Sequence, residues 1–145
     1  MFRGRSRHTL DAKGRLAIPA RFREVLDHAG NDCLVVTSVD ACLWAFTRED
    51  WRRLEEKAAN ISPFHSAGTD FLRYFMSGAE ECQIKQGRIT IPLELRVTAD
   101  LKKEVMLVGV LKRFEIWDQD KWNIEYKRVT ESFPAVSKTL PELGI

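Results

Sequence analysis

A ten-residue pattern occurs twice in this chain and limits what it can fold into more than any other feature. Gly14-Arg15-Leu16-Ala17-Ile18-Pro19-Ala20-Arg21-Phe22-Arg23 returns as Gly87-Arg88-Ile89-Thr90-Ile91-Pro92-Leu93-Glu94-Leu95-Arg96. The Gly, Arg, Ile, Pro and final Arg all recur at an offset of 73 residues. Self-similarity at a fixed offset is the mark of a supersecondary unit used again, so the chain divides into two halves of like construction. Packing alone does not ask for two arginines, a glycine and a proline in register.

The first copy predicts a tight hairpin. His8-Thr9-Leu10-Asp11 and Arg15-Leu16-Ala17-Ile18 are short strands, and Asp11-Ala12-Lys13-Gly14 between them suits a type I turn. Asp at the first position accepts backbone hydrogen bonds, and Gly at the last takes the left-handed conformation, giving a three-residue loop with a glycine bulge. Side chains alternate along a strand, so Leu16 and Ile18 face a core while Arg15 projects outward beside Lys13. Pro19 then opens a helix whose buried stripe is Phe22, Val25 and Leu26.

Further along, Cys33–Thr37 and Cys42–Phe46 form an antiparallel pair of strands, rich in branched and aromatic residues. Thr47 caps a helix with Trp51, Leu54 and Ala58 on one face. Residues 61–76 lie outside the repeat. Their apolar positions, Phe71, Leu72, Tyr74, Phe75 and Met76, make a short helix that is buried between the halves or meets another subunit. The second half repeats the order: a hairpin around Gly87, Pro92 opening a helical turn, strands at Val105–Val110 and Arg113–Trp117, and Asp118 capping a helix with Trp122, Tyr126 and Val129.

The second hairpin has no aspartate at the corresponding place. An ungapped alignment puts Ile84 there; a one-residue deletion between Ile84 and Lys85 instead matches Ile84 to Leu10. The gapped version is preferred, because a one-residue slip would turn the strand inside out.

Charge is uneven. Residues 1–24 hold seven Arg or Lys against Asp11 and Glu24, a net +5, whereas the rest of the chain nets −3. A basic segment on a near-neutral body predicts a localised polyanion-binding surface. Arginine's planar fork suits guanine O6 and N7 or a phosphate, and a two-stranded ribbon fits the major groove of DNA. The competing role for Arg15 and Arg88 is a salt bridge across a subunit contact.

Other chemistry is thinly represented. His8, His28 and His65 have no metal-ligand spacing, and no nucleophile elbow or phosphate-cradling glycine loop occurs. Asp11 and His8 could be imagined as a dyad, but turn capping explains Asp11 better. No catalytic residue, metal site or cofactor is expected, nor enzyme activity. Cys33, Cys42 and Cys82 are expected as reduced, buried thiols. No apolar run approaches a membrane span, and the N-terminus does not look like a signal peptide, so the expected location is cytoplasmic.

At Asp11-Ala12-Lys13-Gly14-Arg15-Leu16-Ala17-Ile18-Pro19 the sequence resembles the AbrB/SpoVT type of DNA-binding domain. Two such domains in a chain of this length are similar to the MraZ family of bacterial transcriptional regulators. Phe2-Arg3-Gly4, Cys42-Leu43, Glu81-Cys82 and Lys103-Glu104-Val105-Met106-Leu107-Val108-Gly109 fit that family too. The resemblance implies a β-rich α+β fold in which tandem repeats form a swapped-hairpin (AbrB-type) β-barrel with flanking helices. The first domain is then expected over residues 5–47 with a helix at about 48–60, and 61–76 as a helical connection. The second covers 77–120 with a helix at about 118–132, and 134–145 is a mobile tail.

The resemblance also implies a nucleoid-associated repressor of the division and cell-wall gene cluster. It would bind direct repeats in double-stranded promoter DNA as a ring-shaped homo-oligomer, octameric or dodecameric. The family's Asp-x-x-x-Arg signature falls on Asp11, the turn cap, and Arg15, the expected base contact. Lys13, Gly14 and Arg3 accompany it, and Arg88, Lys85 and Gly87 are the second copy's counterparts. The alternative implied by the same domain type is the DNA-binding antidote of a toxin–antitoxin pair.

Overall fold

Residues that alternate in type along the repeat alternate in burial. In Arg15-Leu16-Ala17 only Leu16 is buried, and in Arg88-Ile89-Thr90 only Ile89. The computed structural model describes residues 1–145. Its first half contains β1 (Phe2–Thr9), β2 (Arg15–Ala17), α1 (Ala20–His28), β3 (Cys33–Val39), β4 (Cys42–Phe46) and α2 (Arg48–Ala58). A short helix α3 (Ser66–Phe71) and a π-helical turn (Leu72–Met76) lead to the second half. That half contains β5 (Glu80–Gln83), β6 (Arg88–Thr90), α4 (Leu93–Thr98), β7 (Glu104–Leu111), β8 (Arg113–Asp118) and α5 (Gln119–Ser137), followed by a 3-10 turn at Leu140–Leu143.

The halves exchange their first strands. β1 runs antiparallel to β7 of the second half, from Phe2 opposite Leu111 to Thr9 opposite Glu104. β5 runs antiparallel to β3 of the first half, with Leu34 opposite Cys82. β4 and β8 join at the centre, giving one antiparallel sheet in the order β1-β7-β8-β4-β3-β5. β2 and β6 pair only with each other, Leu16 opposite Ile89.

The fold is therefore β-rich α+β with flanking helices, but the expected barrel does not close. The six-stranded sheet ends in free edges at β1 and β5, and β2–β6 is a separate ribbon. The reason lies in the hairpins. Each is paired only next to its turn, by Asp11 N–H to the Arg15 carbonyl in one and by mutual Lys85–Arg88 bonds in the other. Beyond that point the arms splay, one into the sheet and one into the ribbon.

The sheet has a layer on each face. On one side Leu34, Val36, Leu43, Leu107 and Ile116 meet Leu16, Ile18, Ile89 and Ile91 of the ribbon and its exits, with Phe22 and Leu26 of α1 and Leu95 of α4, in one core of 19 buried residues. Phe2, Phe22 and Phe114 meet within it at centroid separations of 5.1–5.4 Å, so β1 and α1 are stitched to β8 of the other half. Such aromatic pairs contribute about 0.5–1.5 kcal/mol each beyond burial. On the other side α2 covers Val35 and Phe46 through Trp51, and α5 covers Met106 and Trp117 through Trp122.

Both expected helix caps are formed. Thr47 Oγ1 accepts from Asp50 N–H at 3.1 Å, and Asp118 accepts from the N–H groups of Asp120 and Lys121. Helix α5 continues through Pro134 to Ser137 without burying a residue fully, which is why periodicity fades there.

Strand exchange makes each half incomplete by itself. Residues 1–74 or 75–141 produced alone should give no folded monomer by circular dichroism and light scattering, and mixing them should restore the spectrum of the whole chain. A folded monomeric half would contradict the exchanged pairing.

Candidate nucleic-acid interface

Asp11 organises the first hairpin with both carboxylate oxygens. Oδ1 accepts from the backbone N–H of Lys13 at 3.0 Å and of Arg15 at 2.8 Å. Oδ2 accepts from Arg15 Nε at 2.5 Å. The turn closes through Gly14 N–H to the Asp11 carbonyl at 3.0 Å, with Gly14 at φ +81°. Arg15 thus has its Nε tied down while both Nη groups remain free, and its side chain is 48% exposed. Asp11 is more than a turn cap: it sets the direction of the guanidinium. An Asp11–His8 dyad does not form: the Asp11 oxygens are taken by Lys13 and Arg15, and His8 Nε2 is bonded to Ser6 Oγ at 2.7 Å.

The second hairpin reaches the same end by another turn. Lys85 and Arg88 exchange backbone hydrogen bonds at 2.9 and 3.0 Å around Gln86-Gly87. Both central residues have positive φ, 53° and 73°, as a two-residue type I′ hairpin requires. The loop is one residue shorter than the first. Ile84 packs against the core as Leu10 does, as the gapped alignment has it, but the missing residue lies within the loop and not between Ile84 and Lys85. Lys85 takes the position across from Arg88 that Asp11 takes across from Arg15. Arg88 therefore has no carboxylate holding it.

Each hairpin is braced by the opposite half. Ile91 N–H donates to the Gly14 carbonyl at 2.8 Å, and Ile18 N–H donates to the Gly87 carbonyl at 2.9 Å. A Cβ at position 14 would lie 2.7 Å from both the Ile91 carbonyl oxygen and Arg96 Nε. One at position 87 would lie 3.0 Å from Arg23 Nη1. Arg96 Nε also donates to the Ile91 carbonyl at 3.0 Å. Arg23 and Arg96 are the final arginines of the two repeats. Their recurrence is visible in the sequence; that each lies beside the other copy's glycine turn is not.

Arg15, Lys85 and Arg88 come together. On the outer face of the ribbon Arg15 stands opposite Thr90 and Arg88 opposite Ala17, which puts the two arginines on one diagonal. Arg15, Lys85, Gln86, Arg88 and Thr90 line one open groove with Glu81. Lys13 is exposed at the first tip. Arg3 is not in this cluster. It faces the same way as Arg5 and Arg7 on edge strand β1, and Arg5 lies over the Tyr126 ring of α5 at 4.5 Å, on the sheet face away from the ribbon.

The Asp11 carboxyl is held below its ordinary 3.8, chiefly by the Arg15 backbone N–H and next by the Arg15 side chain. A depressed folded value means the clasp contributes fully above the unfolded value and is lost as pH falls through the lower folded one. An NMR titration should place the Asp11 midpoint below 3.8, with the Arg15 Nε–H resonance moving at the same pH. In Arg15→Ala the midpoint should move up toward the ordinary value.

The family model described as "MraZ protein, putative antitoxin-like" matches residues 1–74 and again 75–141. The chain is 44% identical to the transcriptional regulator MraZ of Syntrophobacter fumaroxidans, over 99% of this chain and 97% of that protein. It is 43% identical to that of Ligilactobacillus salivarius and 38% to that of Natranaerobius thermophilus, each over the full length of both proteins. Matched twice by one model and end to end by these relatives, the chain belongs to the MraZ family.

Proposed function

We propose that this chain is a sequence-specific DNA-binding transcriptional regulator. The observation that carries the reading is the Asp11–Arg15 clasp, which leaves the two Nη groups of an exposed arginine directed off a hairpin tip. A guanidinium so held can donate end-on to guanine O6 and N7, and the β2–β6 ribbon is narrow enough for the major groove. In this reading Lys13, Lys85 and Arg88 would meet the phosphates that flank that contact, and Arg3, outside the cluster on the edge strand, would be left for phosphates beyond it. Gly14 and Gly87 let the backbone turn tightly beneath the arginines. The relatives' shared name, transcriptional regulator, supports the same conclusion.

The finer reading follows the family. The protein would act in the cytoplasm at the nucleoid, repressing the division and cell-wall gene cluster through direct repeats in its promoter. One subunit makes few contacts, so a ring of eight or twelve copies would gain affinity by engaging successive repeats at high effective concentration. The antidote reading has the family model's description in its favour. Copurification of a small toxin with the chain would replace the regulator reading with that one.

Arg15→Ala should weaken binding by about 1–3 kcal/mol per engaged subunit, the range for removing a bidentate pairing to guanine. Gel shifts on a promoter fragment with several repeats should show a larger loss than on a single repeat; unchanged affinity with an intact fold would remove Arg15 from the interface. Arg88→Ala should weaken binding alike on all sequences and lower the salt slope by about 0.9 for each phosphate that is no longer neutralised.

A further inference from the structure

Most arginines of this chain have a partner or a place in the ribbon. Arg48, Arg52, Arg53, Arg73, Arg113 and Arg128 pair with carboxylates. Arg21, Arg23 and Arg96 lie beside Gly4, Gly87 and Gly14, and Arg15 and Arg88 line the ribbon groove. Arg3, Arg5 and Arg7 remain. All three are exposed, and none forms an ion pair.

β1 sends alternate side chains to the two faces of the sheet. Phe2 and Leu10 enter the core on the ribbon side, so Arg3, Arg5 and Arg7 stand on the α5 side, opposite Val110, Val108 and Met106 of β7. Residues two apart on a strand are about 6.6–6.8 Å apart, so the row is evenly spaced. Arg5 lies over the Tyr126 ring at 4.5 Å, which steadies the row without neutralising it. The acids around it are engaged elsewhere. Glu104 accepts from Thr9 Oγ1, Glu115 is tied to Arg113 and Trp117, and Glu125 is paired with Arg128. Glu125 and Arg128 line the groove toward β4, so the helical period turns Asn123, Lys127 and Thr130 toward β1, and none of these is acidic. Lys112, at the turn beyond Arg3, adds another cation with no carboxylate partner.

This row and the arginines of the ribbon face away from each other. A duplex seated on the outer face of the ribbon has the ribbon, the core and the sheet between it and β1, and packed β-layers are about 10 Å apart. We propose that Arg3, Arg5 and Arg7 form a second, sequence-independent phosphate-binding face, which takes a segment of double-stranded DNA other than the one at the ribbon. Each strand of a duplex carries a phosphate every ~3.4 Å of axis, so the pitch of the row matches alternate phosphates, and each free guanidinium can donate two parallel bonds to phosphate oxygens. The phosphates left to Arg3 are then those of the second segment. The inference rests on the DNA-binding reading above for its class of partner and goes beyond it in consequence: a chain holding an operator at the ribbon and unrelated DNA at β1 bridges the two.

Arg5→Gln and Arg7→Gln together, both at exposed positions, should leave thermal melting unchanged. Added to Arg15→Ala and Arg88→Ala, this pair should lower the salt slope for a duplex of random sequence by about 1.8, which is 0.9 for each lost phosphate contact. Arg5→Lys with Arg7→Lys should keep most of that slope. On a promoter fragment with one repeat, the Arg5→Gln/Arg7→Gln protein should bind within about threefold of wild type, because its ribbon is intact. With that fragment on beads, wild type should capture a labelled random duplex from solution, and the Arg5→Gln/Arg7→Gln protein about tenfold less of it. Equal losses on promoter and random duplex would place the row on the ribbon's own segment and overturn the proposal. Capture at the wild-type level by the Arg5→Gln/Arg7→Gln protein would overturn it too. So would displacement of the random duplex by phosphatidylserine vesicles or polyglutamate at equal charge, which would give the row another partner. A wild type with no preference for the promoter would instead remove the regulator reading, and the slope on random DNA would still decide whether the row binds phosphate.

Discussion

The structure depends on a reciprocal bond across its pseudo-twofold axis: Ile91 N–H to the Gly14 carbonyl, and Ile18 N–H to the Gly87 carbonyl. Each glycine has left-handed backbone and sits where a side chain would strike the other half. These two hydrogen bonds set the ribbon register, Leu16 opposite Ile89. The register in turn decides which residues face the core and which face outward, since a slip of one residue would bury Arg15 and Arg88 and expose Leu16 and Ile89. The arginine-bearing surface is thus a consequence of how the halves interlock.

Much of this is legible from the repeat. Alternation in Arg15-Leu16-Ala17 and Arg88-Ile89-Thr90 places the arginines outside, and Pro19 and Pro92 do precede helices. The turn chemistry of Asp11 and Gly14 is equally readable, because both residues act within four positions of themselves. The exchange of β1 and β5 is legible only through resemblance. Local pattern says that a segment is a strand and is silent about which of several apolar partners it chooses. For the same reason the sequence groups Arg3 with the hairpin arginines: nearness in sequence stands in for nearness in space, and β1 carries it to the other face of the sheet. Residues 61–76 resist for a different reason. Their apolar positions could serve a core or a contact, and the structure divides them, burying Phe75 and leaving Phe64 in solvent.

The hairpins show two solutions to one geometric problem. The first uses a side chain: Asp11 satisfies the turn's N–H groups and has a second oxygen left for the Arg15 fork. The second uses backbone: a shorter loop with two left-handed residues needs no carboxylate, and Lys85 can occupy the place of the acid. The exchange costs Arg88 its brace. A held guanidinium loses little rotamer freedom on meeting a base edge, whereas a free one gives up on the order of 0.5–1.5 kcal/mol in ordering. The braced arginine is the one suited to reading a base, and the unbraced one, with Lys85 adding charge beside it, is suited to holding a backbone.

That division of labour limits what a single subunit can do. One base-reading arginine supplies about 1–3 kcal/mol of discrimination, short of the roughly 4–10 kcal/mol that separates specific from non-specific binding in dedicated regulators. In the regulator proposed above, the deficit would come from repetition, and the chain already contains one level of it. The second hairpin brings Lys85 and Arg88 but no Asp11-type clasp, so in that reading a second subunit would add specificity where the second repeat adds affinity. The regulator proposed above would gain discrimination by counting operator repeats, with each clasped arginine reading one.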